Sequence, residues 1–285
     1  MKTTFVLGLL ACTTTSVLGD SLFFYPVADA TIYQGPAGGP FLANGAGQYL
    51  FVGNNNNGLS RRALVRFDFT GIPAGSTITS VTVRLVVSQA QAGEQPGTMH
   101  RLTSSWTEGA SVAGGNEGGG TGALPGDVTW FHRTLPTPLW STPGGDFVAA
   151  PSATFMLDDL ATHVISSTPG LVADVQAWID GQPNYGWIMR GNETEFGTAK
   201  RFASRQNADL ESIIELSIDF DPPSACPPCV ADFNDSGGTP DDADVAAFFE
   251  AWNNGEACAD ANGSGGTPDD ADVATFFELW NAGGC

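Results

Sequence analysis

The sequence predicts a mostly β protein: a predominantly antiparallel β domain followed by a small helical module. Residues 21–220 contain short apolar runs separated by Gly, Pro, Asn and Ser, which is the pattern of antiparallel strands joined by turns. Residues 231–285 instead contain one segment twice, at Asp232–Trp252 and Asp260–Trp280. A repeat this short cannot bury its apolar face alone, so we expect the two copies to pack together.

Length and charge restrict the possible functions. A chain of 285 residues has room for one large and one small domain. Its formal net charge is −20, and no Lys or Arg follows Asp221. Nucleic acids and anionic membrane surfaces are bound mainly through Lys and Arg, so the charge argues against both. An acidic surface fits a soluble protein outside the cell, or one that binds divalent cations.

The N-terminus predicts export. Lys2 precedes an apolar run, Phe5–Ala11, and small residues up to Gly19, so residues 1–19 form an expected signal peptide cleaved after Gly19. An alternative interpretation takes Leu9–Cys12 as a lipoprotein box acylated at Cys12. No later run of 18 apolar residues occurs, so no transmembrane span is expected in the mature chain. The predicted location is secreted or at the cell surface.

The cysteines predict a disulfide-bonded module. Both interpretations of the N-terminus leave four: Cys226, Cys229, Cys258 and Cys285. An even number in a small exported module favours two disulfides, and the sequence does not choose among the three possible pairings.

The large domain contains alternating apolar runs and one helical pattern. Strands are predicted at residues 48–52, 62–69, 81–87, 127–131, 154–157, 187–190, 200–205 and 214–220. Apolar residues at helical spacing predict one helix, at Leu171, Val172, Val175, Trp178 and Ile179. Gly109–Gly126 is rich in glycine and is expected to be a mobile surface loop. Residues 221–230 form a stiff, Pro-rich linker.

Two kinds of side chain are candidates for binding a sugar. An aromatic face packs well against a sugar ring, and Trp106 and Trp140 are the preferred candidates because turn residues flank them. The alternative is that they are buried. Arg201 and Arg205 lie four residues apart, which on a strand places both on one face, where they could clamp a carboxylate. The alternative is that they pair with Asp68 or Asp174.

Motifs of catalysis are absent. The sequence has no zinc-protease, nucleophile-elbow or phosphate-loop motif, and His100, His132 and His163 stand apart from one another. We therefore predict that the protein is not an enzyme. A glycan lyase or hydrolase remains an alternative, since a pair of catalytic carboxylates leaves no local motif.

Each copy of the repeat begins like a calcium-binding loop. Oxygen-bearing side chains stand at positions 1, 3 and 5 and a glycine at position 6. The closing acid stands thirteenth rather than twelfth, and position 5 is Ser. The predicted ligands, for about two Ca²⁺ per chain, are Asp232, Asn234, Ser236 and Asp244, and Asp260, Asn262, Ser264 and Asp272. Thr239 and Thr267 are predicted to cap the following helices.

The large domain resembles the DNRLRE domain, which is carbohydrate-binding module family 96. The resemblance covers residues 26–220 and is carried by Asp29–Tyr33, Arg62–Phe69, Ile72–Gly75, Ser105–Gly109, Asn184–Trp187 and Phe202–Arg205. It implies a β-sandwich of jelly-roll type over residues 21–220 and non-catalytic binding of polysaccharides, acidic glycans such as alginate included. An acidic glycan would be bound by arginines, namely Arg61, Arg62, Arg190, Arg201 and Arg205.

The repeats resemble the dockerin domain. The resemblance is carried by the duplication, by the Asp-Val-x-x-Phe-Phe-x-x-Trp helices and by the terminal Gly284–Cys285. It implies an EF-hand-like module over residues 231–285 that binds calcium and attaches to a cohesin-like protein receptor.

The leading hypothesis is a secreted, non-catalytic protein that binds a polysaccharide or cell-surface glycan and is anchored through the repeat module. The second hypothesis is a structural or adhesive surface protein whose β domain binds protein or acts as a spacer.

Overall fold

A computed structural model describes residues 20–222 and 226–283. Contacts within the chain group it into two compact units, residues 1–222 and 223–285. The predicted signal peptide, the alternative acylation site Cys12, and Cys285 lie outside the described residues. Within the described ranges, no helix is long and apolar enough to cross a bilayer.

The first unit is mostly β, as predicted. Its strands are β1 (Asp20–Phe24), β2 (Ala28–Tyr33), β3 (Leu42–Ala43), β4 (Tyr49–Asn54), β5 (Ser60–Arg66), β6 (Thr77–Ala90), β7 (Gln95–Arg101), β8 (Thr121–Gly122), β9 (Ala153–Leu157), β10 (Thr162–Ile165), β11 (Trp187–Arg190), β12 (Lys200–Ala203) and β13 (Glu215–Asp221). They form one antiparallel sheet with the order β1-β13-β6-β12-β4-β5-β11-β7-β9.

This sheet curls around a hydrophobic core. Val83 of β6 and Leu216 of β13 belong to the same buried cluster as Val65 of β5 and Met189 of β11. Alternation along β6 produces this arrangement, since Val81, Val83, Leu85 and Val87 are buried while the residues between them are partly exposed.

One helix covers this core, where the sequence predicts it. α1 (Pro169–Ile179) begins with Pro169 in the first turn, and Thr168 caps it by accepting a hydrogen bond from the Leu171 amide. The buried residues Leu171, Val175 and Trp178 pack on the core. A 3₁₀ helix, Leu210–Ser212, precedes β13.

A second cluster contains the tryptophans of the long connections between β7 and β9. Trp106, Trp130 and Trp140 pack with Ile32, Leu64 and Ile188 on the opposite side of the sheet from the main core. The predicted strand at residues 127–131 is wrong: the segment makes no ladder, although Val128 and Trp130 are buried. Alternation here reflects packing of a loop rather than of a strand.

The second unit contains two equivalent helices, α2 (Asp242–Asn254) and α3 (Asp270–Ala282), with a 3₁₀ helix, Ala257–Ala259, between them. Their predicted caps are wrong, because Asp241 and Asp269 cap the helices in place of Thr239 and Thr267. In each capping box, the acid at the third helical position also accepts a hydrogen bond from the cap's own amide.

Aromatic side chains hold these helices together. The rings of Phe248 and Phe276 stack with centroids 4.1 Å apart, and both residues are fully buried. The indole nitrogens of Trp252 and Trp280 each donate to the cap carbonyl of the opposite helix, Asp269 and Asp241 respectively, at 3.1 Å. The two copies therefore pack together, as expected.

Candidate functional site

A polar cleft, which we call the arginine cleft, opens on the first unit where β12 lies between β4 and β6. Strand pairing places Arg201 beside Phe51 of β4 on one side and Gln89 of β6 on the other. The cleft has a volume of about 200 Å³. Its lining residues are Phe51, Asn55, Arg61, Gln89, Gln91, Asn116, Gly118, Ala199, Lys200 and Arg201.

Arg201 is held in the cleft without a carboxylate. Its guanidinium carbon lies 3.8 Å from the centroid of the Tyr49 ring, and its Nε donates to the Ser88 hydroxyl at 3.0 Å. Among the ion pairs of the described residues, none includes Arg201. Its positive charge is therefore available to an anionic ligand.

Arg61 supplies a second positive charge to the cleft. It is buried, its Nε donates to the Gly118 carbonyl at 3.1 Å, and its Nη1 donates to the Leu59 carbonyl at 2.6 Å. Burial lowers the pKa of its guanidinium, and no ion pair of the described chain offsets this. An anion in the cleft would stabilise this charge.

Lys200 differs from the two arginines because its charge is neutralised. The side chain is buried, and its Nζ donates to the Asp159 carboxylate at 2.8 Å and to the carbonyls of Ala92 and Gly93. We assign it a structural role at the end of β6.

The glycine-rich loop between Gly109 and Gly126 forms one wall of the cleft and is pinned to the sheet by Glu117. This residue is buried in a left-handed conformation, at φ 64°. Its carboxylate accepts hydrogen bonds from the Asn44 amide group and from the backbone amides of Gln48 and Tyr49, at 2.9 to 3.1 Å. Glu117 thereby positions its neighbours Asn116 and Gly118 at the cleft.

The predicted clamp of two arginines does not form, because Arg205 follows the end of β12 and is engaged elsewhere. Its Nε and Nη2 donate to both oxygens of Glu108, at 2.7 and 2.6 Å. Neither expected ion-pair partner, Asp68 nor Asp174, contacts Arg205 or Arg201 in the ion pairs of the described chain.

A buried carboxyl lies beside this pair. Asp29 accepts a hydrogen bond from the Arg205 amide at 2.7 Å, and burial raises its pKa to about 7. The Asp29, Glu108 and Arg205 cluster joins β2 to two loops.

The predicted tryptophans are buried. Trp106 is 3% exposed and donates its indole hydrogen to the Tyr185 carbonyl, while Trp140 is 4% exposed and donates to the Thr129 carbonyl. Neither presents a ring face for stacking on a sugar in this conformation. The interpretation of both as core residues, which the sequence left open, fits their surroundings.

Sequence reasoning identified Arg61 and Arg201 but missed most of the cleft. Phe51, Gln89, Gln91 and Asn116 come from three separate segments, and no local motif marks them. Strand register brings Phe51 and Gln89 beside Arg201, and the hydrogen bonds of Glu117 place Asn116 there.

The residues predicted to bind calcium are linked by hydrogen bonds within each loop of the second unit. In the first loop, the Asp232 carboxylate accepts from the amides of Ser236 and Gly237, both at 3.0 Å, and Asn234 Oδ1 accepts from the Ser236 amide at 2.9 Å. Asp244 closes the loop by accepting from the Asn234 amide at 3.1 Å. The second loop repeats these bonds with Asp260, Asn262, Ser264 and Asp272.

These donors fit Ca²⁺ in type, since all of them are oxygen atoms. Each loop supplies two carboxylates, and no group of three or more His, Cys, Asp or Glu side chains is placed to hold a metal within residues 20–222 and 226–283. Hydrogen bonds from backbone amides of the loop hold both carboxylates of the first loop, Asp232 and Asp244, in position.

A disulfide joins Cys226 to Cys258 across this module. It links the segment that precedes the first loop to the segment that precedes the second. Cys229 is also disulfide-bonded.

Comparison with known families supports a carbohydrate-binding module. The family model of carbohydrate-binding module family 96 matches residues 21–114. The matched segment contains Arg61, Gln89 and Gln91 of the cleft but ends before Arg201. No curated protein matches the chain. Such modules are typically non-catalytic and fit an extracellular or cell-surface protein.

Proposed function

We propose that this chain is an exported, non-catalytic protein that binds an acidic polysaccharide in the arginine cleft. The observation that carries the proposal is the pair of arginines, Arg61 and Arg201, which face the cleft without carboxylate partners. The chain has 31 acidic and only 11 basic residues, so most positive charges have a carboxylate available. Two that remain unpaired in one cleft favour a ligand that brings its own negative charge.

The other lining groups suit a carbohydrate. Side-chain amides of Asn55, Gln89, Gln91 and Asn116 both donate and accept hydrogen bonds, as sugar hydroxyls do. The Phe51 ring adds an apolar wall. A cleft that combines these groups with two guanidinium ions matches a sugar that carries a carboxylate or a sulfate.

The second unit is proposed to be a dockerin-like anchor stabilised by calcium. Its support is the duplicated arrangement of oxygen ligands, capping boxes and aromatic contacts, which gives the unit two nearly equivalent halves. Attachment to a cohesin-like receptor would place the cleft on a larger assembly or on a cell surface.

Affinity electrophoresis of the full chain in gels containing single polysaccharides tests the proposed binding. Alginate and polygalacturonate represent acidic polymers, and a soluble β-glucan represents a neutral one. We expect the acidic polymers to retard the protein, with retardation that weakens as salt rises. Equal retardation by the neutral polymer, or none by any polymer, would contradict the proposal and favour the spacer or adhesive role.

The absence of catalysis is tested on the same polymers. We expect neither new reducing ends nor unsaturated products after prolonged incubation. Their appearance, at a rate proportional to protein concentration, would show a hydrolase or a lyase.

A further inference from the structure

A second depression of the first unit, which we call the aromatic cavity, shares no lining residue with the arginine cleft. It has a volume of about 270 Å³ and is lined by Tyr33, the segment 35–42, and Thr129, Trp130 and Phe131. Phe41 and Phe131 are 44% and 43% exposed, and their ring centroids lie 5.8 Å apart. Exposed neighbouring aromatic rings beside a cavity are a common feature of ligand sites.

Tyr33 connects the linings of the two depressions. It is 1% exposed and lines the aromatic cavity, and the guanidinium carbon of Arg61, which lines the cleft, lies 5.6 Å from the centroid of its ring. The Tyr33 hydroxyl donates to the Glu117 carbonyl at 3.1 Å. The loop that Glu117 pins therefore contributes Gly118 to the cleft and packs Gly120 against the Tyr33 ring, where an added Cβ would come within 3.1 Å.

The two depressions differ in chemistry in a way that suits one sugar chain. A pyranose has a polar edge of hydroxyl and carboxylate groups and apolar faces of C–H groups. The cleft offers guanidinium and amide groups for the edge, and the aromatic cavity offers rings for the faces. The volume of each depression lies below the range of about 300–1,000 Å³ that is usual for pockets that enclose a whole ligand.

We propose that the aromatic cavity binds the sugar residues next to the one held in the arginine cleft, so that the protein recognises an internal stretch of a polysaccharide chain. This inference rests on the proposed function and names the occupant of the cavity. A ligand that spans both depressions gains from each, so affinity should rise steeply once the chain is long enough to reach Phe41 and Phe131.

Calorimetric titration of the full chain with an alginate disaccharide and an alginate hexasaccharide tests the inference. We expect the hexasaccharide to bind at least about tenfold more tightly than the disaccharide. The double variant Phe41→Ala/Phe131→Ala should lose about that factor for the hexasaccharide and leave the disaccharide unchanged. The variant Phe41→Leu/Phe131→Leu keeps most of the apolar area but lacks planar rings, and so covers the case in which truncation to Ala unfolds the protein.

Phe196→Ala is the matched control, because Phe196 is 73% exposed and lines neither depression. Phe196→Ala should change the affinity for neither the disaccharide nor the hexasaccharide. If both oligosaccharides bind equally, or if the Phe41 and Phe131 variants weaken both alike, the aromatic cavity is not a neighbouring subsite and the proposed function stands. If neither oligosaccharide binds and alginate also fails to retard the protein, the proposed function and this inference fall together.

Discussion

The guanidinium of Arg201 lies over the ring of Tyr49, 3.8 Å from its centroid, on the same face of the sheet as Phe51. Tyr49 and Arg201 are diagonal neighbours, because Ala203 is the residue that pairs with Tyr49. The ring supports the cation without neutralising it. Arg201 is therefore held in place and charged at the cleft, which is what recognition of an anion requires.

Replacing Arg201 should weaken binding of acidic polysaccharide with little effect on folding. Arg201→Ala removes charge-assisted hydrogen bonds worth about 1.5–3 kcal/mol, which predicts a loss of about tenfold or more in affinity. The affinity of Arg201→Lys should lie between those of the wild type and Arg201→Ala, because an ammonium keeps the charge but lacks the planar fork of a guanidinium. Calorimetry with alginate measures the change.

Arg84→Ala is the control for Arg201, since it also removes one positive charge but from an ion pair with Glu215 outside the cleft. An equal loss of affinity in both variants would mean that net charge, rather than the cleft, governs binding.

Glu117→Gln should loosen the wall of the cleft. The substitution removes a carboxylate that accepts three hydrogen bonds, and we expect the free energy of unfolding to fall by about 2 kcal/mol. Amide hydrogen exchange should increase across residues 111–120, and affinity for the polysaccharide should fall with it. Glu94→Gln, at an exposed position, should change neither quantity. Unchanged exchange in the Glu117 variant would disprove the pinning role.

The contribution of Glu193 to the stability of the first unit should be lost at acidic pH. Burial raises the pKa of its carboxyl, but hydrogen bonds from the guanidinium groups of Arg62 and Arg190 outweigh burial and hold the pKa below its usual 4.5. The ionised form is thus favoured by folding, so its contribution is present above the unfolded pKa and is lost as the pH falls through the lower folded pKa.

Urea unfolding of the wild type and of Glu193→Gln measures this effect. The difference in unfolding free energy should be about 2 kcal/mol near neutral pH and should shrink well below pH ~4. A difference that stays constant from neutral to acidic pH would show that the carboxylate charge is irrelevant.

Calcium should stabilise the second unit. If both loops bind the ion, the free energy of unfolding of this unit in the full chain should rise with CaCl₂ by about 2.7 kcal/mol for each bound ion at a hundredfold excess over Kd, and chelator should reverse the rise. Asp232→Ala/Asp260→Ala should abolish the response, whereas Asp235→Asn, which removes a charge that is not a predicted ligand, should keep it. A melting temperature that changes with neither calcium nor chelator would refute the metal site.

The Cys226–Cys258 disulfide should stabilise the second unit without affecting the first. Cys258→Ser is expected to lower the free energy of unfolding of that unit by about 3 kcal/mol. Peptide mapping without reduction should recover a peptide that joins Cys226 to Cys258. Recovery of a Cys226–Cys229 linkage would contradict the structure.

Local sequence patterns predicted much of the fold because they depend on neighbours along the chain. Alternation of Val81, Val83 and Leu85 predicts a strand with one buried face, and the spacing of Leu171, Val175 and Trp178 predicts α1. The same pattern wrongly predicts a strand at residues 127–131. There, Trp130 packs against the sheet and produces the alternation, but the segment forms no hydrogen bonds of a β-ladder. It also placed the caps of α2 and α3 two residues early, since Thr-Pro and Asp-Asp both fit a helix start and only the capping box separates them.

What the sequence by itself determined is therefore the β character of the first unit, the helical repeat of the second and the shortage of positive charge. What only the tertiary structure decided is which of the few arginines remain unpaired. Glu108 forms an ion pair with Arg205, and Glu193 forms ion pairs with Arg62 and Arg190. Arg201 instead packs on the ring of Tyr49. Those partners are distant in sequence, so their selection depends on strand register and loop packing, and the location of the cleft depends on the same contacts.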